Sequence, residues 1–346
     1  MKRALSALLL LTATLGGTTR AASDIVADLS AGSSSSAKEP IFHTGTYNPF
    51  TRIFGRPEFF AGSIQPAGTW DIRGVVTLTS HTEPAGNGFE QLELDGETTR
   101  LALTFTRGLG DDWEIGATIP LLHASGGFLD ATVEDWHDII GASNAQRNVR
   151  ARNQLNFIYQ RGGDVRIRIE DSSTGVGDIA LFARYQLLAA DDDSRKLTLH
   201  GGLKLPTGSY QHLRGSGAAD YSLGIGYTDT ASLKRANLTV SAHAGVLLLG
   251  DGKVLSELQK RTVPIGGIQI GLALGNRVDL LAQLQAAGSY YDSSLATLGD
   301  NTVQLSVGAN VRFPGSGWNL TLGIVEDAFS DMMPDFALYS ALSRSF

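Results

Sequence analysis

The chain closes on Trp318-Asn-Leu-Thr-Leu-Gly-Ile324, a short break, and then Asp335-Phe-Ala-Leu-Tyr-Ser-Ala-Leu-Ser-Arg-Ser-Phe346. Both runs read with period two. In the second, Phe336, Leu338, Leu342 and Phe346 share one face, and Ala337, Ser343 and Ser345 share the other. Successive side chains of a strand point to opposite faces, so one face here is apolar and the other small or polar. A strand with lipid on one side and a polar interior on the other has this pattern. The last strand of a soluble β-sandwich has it too. Arg344 interrupts the apolar face two residues before the end. The rest of the chain separates the two readings.

From Trp70 onward the alternation repeats. Runs 70–80, 97–108, 113–122, 175–188, 196–205, 221–228, 237–249, 263–275, 278–289 and 302–313 precede the final two. In one of them Val303, Leu305, Val307 and Val311 oppose Gln304, Ser306, Asn310 and Arg312. That makes about twelve strands, an even number. Connections after the even-numbered strands are short, as Gly110-Asp-Asp112 and Asn276-Arg277 are, and those after the odd-numbered ones are longer and polar. A barrel with both termini in the periplasm has short turns there and long loops outside; a sandwich has no such rhythm. The reading is an all-β fold, a transmembrane antiparallel β-barrel of about 12 strands in the bacterial outer membrane. Closure has a physical cause, because an open sheet edge in lipid leaves unpaired backbone groups at several kcal/mol each. Trp70, Trp113, Tyr185, Tyr227, Phe313 and Trp318 sit at strand ends, where interfacial aromatic girdles lie.

A final Phe after an alternating strand also resembles the C-terminal signal of bacterial outer-membrane barrels. That resemblance implies the barrel-assembly machinery as a partner through Phe346, with outer-membrane lipid and lipopolysaccharide around the wall. At the other end, Lys2 and Arg3 precede an apolar run from Ala4 to Leu15, and small residues follow to Ala21. This is the pattern of a secretory signal peptide over 1–21. No later run is long and apolar enough for a transmembrane helix. Cleavage after Ala21 would take the formal charge from −7 to −10, and an acidic chain is a poor nucleic-acid binder. Without Cys there is no disulfide framework and no thiolate metal site. No phosphate-loop pattern occurs, and no cofactor is expected.

Between the leader and the strands lies a periplasmic N-terminal segment, 22–68. Its first part is rich in Ser, Ala and Gly. Its second, 41–60, crowds Phe42, Tyr47, Phe50, Ile53, Phe54, Phe59 and Phe60 together. Rings at that density need a partner, and a plug inside the barrel or packing under its periplasmic rim would supply one. The long extracellular connection, 124–174, carries Leu129, Val133, Trp136 and Ile140 at helical spacing, with Asp130, Glu134 and Asp138 opposite. A short helix is expected there, whose acidic face with His137 is a solvated surface or a divalent-cation site. Next come Arg147, Arg150 and Arg152, candidates for lipopolysaccharide phosphates because Arg forks phosphate well. The runs 155–160 and 165–170 form a hairpin that either projects outward or extends the barrel to about 14 strands. His123, Ser125 and Asp130 are the weak makings of a nucleophile and base.

The alternation turns Arg73, Arg100, Glu114, Arg184, His200, Lys204, His243, Asp279, Gln283, Gln285 and Arg312 into the lumen, with Asp71 and Asp327. Mixed charge of this kind either seals a barrel with ion pairs or lines a constriction that selects solutes. Several runs resemble an uncharacterised proteobacterial family, domain-of-unknown-function family 3187. They are Asn48-Pro-Phe50, Leu94-Asp-Gly-Glu-Thr-Thr-Arg100, Gly108-Leu-Gly-Asp-Asp-Trp-Glu-Ile-Gly116, Ser125-Gly-Gly-Phe-Leu-Asp130 with Glu134-x-Trp-His137, and Lys204-Leu-Pro-Thr-Gly208. The last run also resembles one in outer-membrane barrels associated with phenol degradation, which implies carriage of apolar compounds. The family implies no activity, so no residue inherits a role. The expected function is a passive channel or carrier for small solutes, apolar ones included. The alternatives are a sealed structural or lipopolysaccharide-binding barrel and an outer-membrane lipid-modifying enzyme.

Overall fold

The computed structural model describes residues 39–129, 131, 152–190, 192–327 and 336–346. Its strands are β1 (Trp70–Gly86), β2 (Glu90–Leu109), β3 (Trp113–Ser125), β4 (Asn156–Arg161), β5 (Asp164–Ile169), β6 (Ser173–Val176), β7 (Ala180–Ala189) and β8 (Arg195–Lys204). They continue as β9 (Asp220–Asp229), β10 (Leu238–Leu248), β11 (Thr262–Leu274), β12 (Val278–Ala287), β13 (Thr302–Phe313), β14 (Trp318–Asp327) and β15 (Phe336–Ser345). β1, β2, β3 and β7 to β15 pair antiparallel in that order. β15 then pairs back with β1, Asp71 opposite Ser345 and Ser80 opposite Phe336. A ring of 12 strands is closed, and three strands stand outside it.

Those three correct the 14-strand alternative. β4 pairs with the upper part of β2, Glu90 opposite Arg161 and Asp95 opposite Asn156, and β5 pairs with β4. The hairpin therefore projects beyond the wall. The stretch 81–96, read as a loop, is also strand: β1 and β2 run on past the wall and turn at Asn87, whose Oδ1 accepts from Phe89 N and Glu90 N. Alternation hid this because Ser80, His81 and Thr82 are all buried, the extension being covered on both faces. The expected helix lies outside the described residues beyond Ala131, as do the signal peptide, Asp130, Glu134, His137, Asp138, Arg147 and Arg150.

The wall is apolar outside and polar within. Ile72, Val76, Leu103, Ile119, Leu199, Ile225, Ile268, Leu322 and Leu338 are exposed; Thr77, Thr104, Thr198, Ser222, Gln269, Gln283, Gln304 and Asn310 are buried. Trp70, Trp113, Tyr185, Phe313 and Trp318 all stand at the short-turn end, where Trp113 and Tyr185 pack with centroids 4.9 Å apart. Arg344 belongs to this belt. Its guanidinium lies 5.6 Å from the Trp318 ring, so the break in the last strand's apolar face falls at the interface, where a charge can reach water.

Over the long-loop end an apolar core closes the mouth. Leu92 and Leu94 of β2, Phe157 and Tyr159 of β4, Leu213, Leu255, Tyr290, Tyr291 and Leu298 form one buried cluster. Glu90, on β2 beyond the wall, fastens it. Its carboxylate accepts from Tyr159 Oη at 2.8 Å, Ser293 Oγ at 2.9 Å, Ser294 N at 2.9 Å and Ser294 Oγ at 2.6 Å. Burial pushes the carboxyl up, but the hydrogen bonds from Ser294, Tyr159 and Ser293 outweigh it and hold the group down at about 2. A depressed carboxyl stabilises above its unfolded value and loses that contribution as pH falls through the folded one. The loop 288–301 should therefore resist pepsin at pH about 4 and become cleavable only towards pH about 2. Glu90→Gln should be cut at the higher pH already; equal resistance in both proteins would remove Glu90 as the fastening.

Candidate functional site

Residues 39–66 fold inside the ring as two limbs joined by a turn. The rising limb is held by wall amides: Phe42 N donates to Gln269 Oε1 at 2.8 Å, Gln269 Nε2 to Pro40 O at 2.9 Å, and Gln283 Nε2 to Thr44 Oγ1 at 2.7 Å. Asn48-Pro-Phe50 makes the turn, with Asn48 Oδ1 accepting from Phe50 N and Asn48 O from Thr51 N and Arg52 N. On the descending limb Gly55 N donates to Asp220 Oδ2 at 2.8 Å and Gly62 N to Thr228 Oγ1 at 3.0 Å. Gln65 N donates to Glu114 Oε2 at 2.6 Å. Ser63 Oγ reaches Glu39 Oε2 at 2.6 Å and ties the limbs together near the termini.

The crowded rings explain the position. Phe42, Phe50, Phe59 and Phe60 are all 0% exposed. Each large apolar side chain gains about 1.5–3 kcal/mol on full burial. Phe50 and Phe54 enter the mouth core, where Phe54 stacks on Tyr290 at 5.3 Å and Tyr291 Oη donates to Phe50 O at 2.8 Å. Phe42 packs edge-on to Tyr339 at 5.2 Å. Wall glycines make the room: a Cβ at Gly323 would stand 2.6 Å from Phe42 Cε1, and one at Gly226 would stand 2.5 Å from Ala61 O. Glycine within a strand often marks such a close approach.

Every lumen residue expected from alternation whose side chain is described faces inward, and most touch the segment. Arg73 and Arg100 both reach Glu58 of the descending limb, at 3.1 and 3.5 Å. Arg184 pairs with Glu114 at 2.7 Å. Arg56 donates to Gln285 Oε1 at 3.1 Å. Asp279 holds Arg312 at 2.6 Å, below the segment. His200 and His243 flank Phe60. Lys204 is the deepest cation: its Nζ lies 2.7 Å from Asp178 and 3.0 Å from Asp220, and donates to Ile53 O at 3.0 Å. An ammonium out of water needs this full set of partners.

The motifs quoted above converge here. Lys204-Leu-Pro-Thr-Gly208 wraps Asp178, with Gly208 N on Asp178 Oδ1 at 2.7 Å and Thr207 Oγ1 on Gly177 O at 2.9 Å, and Lys204 reaches Ile53 O, just past the turn made by Asn48-Pro-Phe50. Glu97 accepts from Phe128 N and Leu129 N, joining two further motifs at the rim. Sequence reasoning missed Glu58, Glu90, Asp178, Asp220 and Gln269. Asp178 falls in the interruption between β6 and β7, and Glu58 and Glu90 in stretches without alternation. Gln269 sits between Gly267 and Gly271 in β11, a signal that was there to find. Of His123, Ser125 and Asp130, the last lies outside the described residues; His123 Nδ1 is hydrogen-bonded to Thr174 Oγ1 at 2.8 Å on the outer face. Arg152 lies in the turn before β4.

The chain belongs to the family described as protein of unknown function DUF3187, whose pattern it matches over residues 21–346. No curated protein matches it. Among solved structures it is similar to the COG4313 outer membrane channel from Pseudomonas putida F1, with TM-score 0.55 and 16% identity over 82% of this chain and 98% of that one. A lesser likeness, TM-score 0.41 at 10% identity over 87% of this chain and 98% of that one, is to the Ralstonia pickettii toluene transporter TbuX. The first similarity shows the fold, an outer-membrane β-barrel.

Proposed function

We propose that this member of the DUF3187 family is a passive outer-membrane channel for small solutes, gated from within by residues 39–66. One observation carries the reading: the lumen is filled by a separate stretch of chain, not by the wall's own side chains. Among the described residues the stretch makes no ladder with the wall, and the single bridge, Ala67 to Gly108, lies just past its end. Its other links run through side chains such as Gln269, Asp220, Thr228 and Glu114. It can leave without unmaking a strand. The wall it would uncover carries Gly, Ser, Thr, Gln and charged side chains, with one apolar patch around Val75, Leu281, Val325 and Tyr339. A barrel built only for structure would fill itself. The fit is also incomplete, since Tyr47 Oη, Thr77 Oγ1 and both amide atoms of Gln304 are buried without a partner among the described residues. The similarity to a channel of like fold is in keeping with this.

Gly226→Val tests the gate with the full chain. The added carbons meet Ala61 O at 2.5 Å and Thr198 Oγ1 at 2.8 Å; the hydroxyl can turn away, and the backbone of the descending limb cannot stay. The expected result is a heat-modifiable, membrane-embedded barrel that conducts in planar bilayers where the parent is closed. A folded variant as silent as the parent would argue for a permanently sealed barrel.

A further inference from the structure

We infer that the lumen holds a binding slot for a flat ring bearing hydrogen-bonding groups, and that Phe60 occupies it in the closed state. The Phe60 ring lies nearly parallel to two imidazoles, 4.4 Å from His200 with an interplanar angle of 15° and 4.6 Å from His243 with 29°. His200 is on β8 and His243 on β10, two strand spacings apart, roughly 9.5 Å. That separation takes one ring between two. The strand between them, β9, supplies a floor without side chains: Gly224 lies opposite His200 and Gly226 opposite His243. A Cβ at Gly224 would stand 2.9 Å from Phe60 Cζ. Walls, floor and spacing all belong to the barrel; the segment supplies the occupant and Phe59, edge-on to His243 at 4.7 Å.

The slot also offers polarity that Phe60 leaves unused. His200 is 2% exposed and His243 6%, and the Nδ1 atom of each has no partner among the described residues. Ser222 Oγ lies beside His200 Nε2 at 3.3 Å. A benzyl ring satisfies the stacking and none of the hydrogen bonds, so a planar solute with a donor or acceptor at its edge makes every contact Phe60 makes and adds at least one. Such a solute competes with Phe60 and favours the segment's departure.

The inference rests on the reading of 39–66 as a displaceable gate, and the two can fail separately because binding is measured without conduction. Full-length Phe60→Ala and Phe60→Leu, checked for heat-modifiable migration, are dialysed against benzamide and cyclohexanecarboxamide, which differ in ring planarity and share the amide. Stacking on two rings should give benzamide roughly tenfold tighter binding. In Phe60→Ala with His200→Ala and His243→Ala the preference should vanish, and the parent should bind benzamide more weakly than either single variant. Equal binding of the two amides to the folded single variants, or a preference that survives loss of both imidazoles, overturns the slot. A barrel that prefers benzamide but never conducts would sink the channel and spare the slot.

Discussion

An exported chain lacking residues 39–60 should conduct ions in planar bilayers where the full chain is closed. The reason lies in how the segment is held. Ordering some twenty residues costs about 1–2 kcal/mol each, and burying its seven large apolar side chains returns about 1.5–3 kcal/mol each. Burial alone returns about half of that cost, so the polar contacts decide. Glu58 with Arg73 and Arg100, and Lys204 with Ile53 O, are among these. None contributes to the ladder that closes β15 on β1, so the wall should survive the deletion and still shift on heating in gels. The change is from closed to open, the largest effect foreseen for this protein. The mouth core loses Phe50 and Phe54 at the same time, which loosens the outer end as well. A deleted protein that inserts, shifts on heating and still passes no current would show that the wall and mouth close the barrel alone.

The wall was legible in the sequence because lipid outside and a polar interior force strict alternation. From Thr302 to Val307 of β13, buried and half-buried residues alternate where period two puts them. Legibility ended where a third layer intervened. Between Thr79 and Glu83 both faces of β1 meet protein, alternation lapses, and strand reads as loop. The inner segment was legible as a need, rings without a partner, but not as a path. It has no period, and its bonds go to residues far along the chain, as Phe42 to Gln269 and Gly55 to Asp220 do. Lumen charges could be counted from the strands but not paired, because Glu58 lies on the segment and Asp178 in a break between strands. The slot was the least legible part. It needed two histidines on alternate strands, two glycines between them and a phenylalanine from elsewhere in the chain, each unremarkable alone.

Val307→Arg should be far more damaging than Ser306→Arg, although the positions are adjacent. Val307 is near the middle of β13, opposite Ala282 of β12 and Ile324 of β14, on the face that carries Leu284 and Leu322 towards lipid. An Arg at mid-membrane on that face costs about 2–4 kcal/mol, to be read as a lower urea midpoint for folding into liposomes. Ser306 is 1% exposed and faces the lumen, opposite Gln283 of β12 and Val325 of β14. An Arg there asks nothing of the lipid. It crowds residues 39–66, so the barrel should fold with nearly parental stability and pass current, as the deletion does. Since a slip of one residue exchanges the two faces of a strand, equal losses from the two substitutions would place β13 in the wrong register. The pair thus tests both parts of the molecule: the lipid face through the midpoint of Val307→Arg, and the occupied lumen through the conductance of Ser306→Arg.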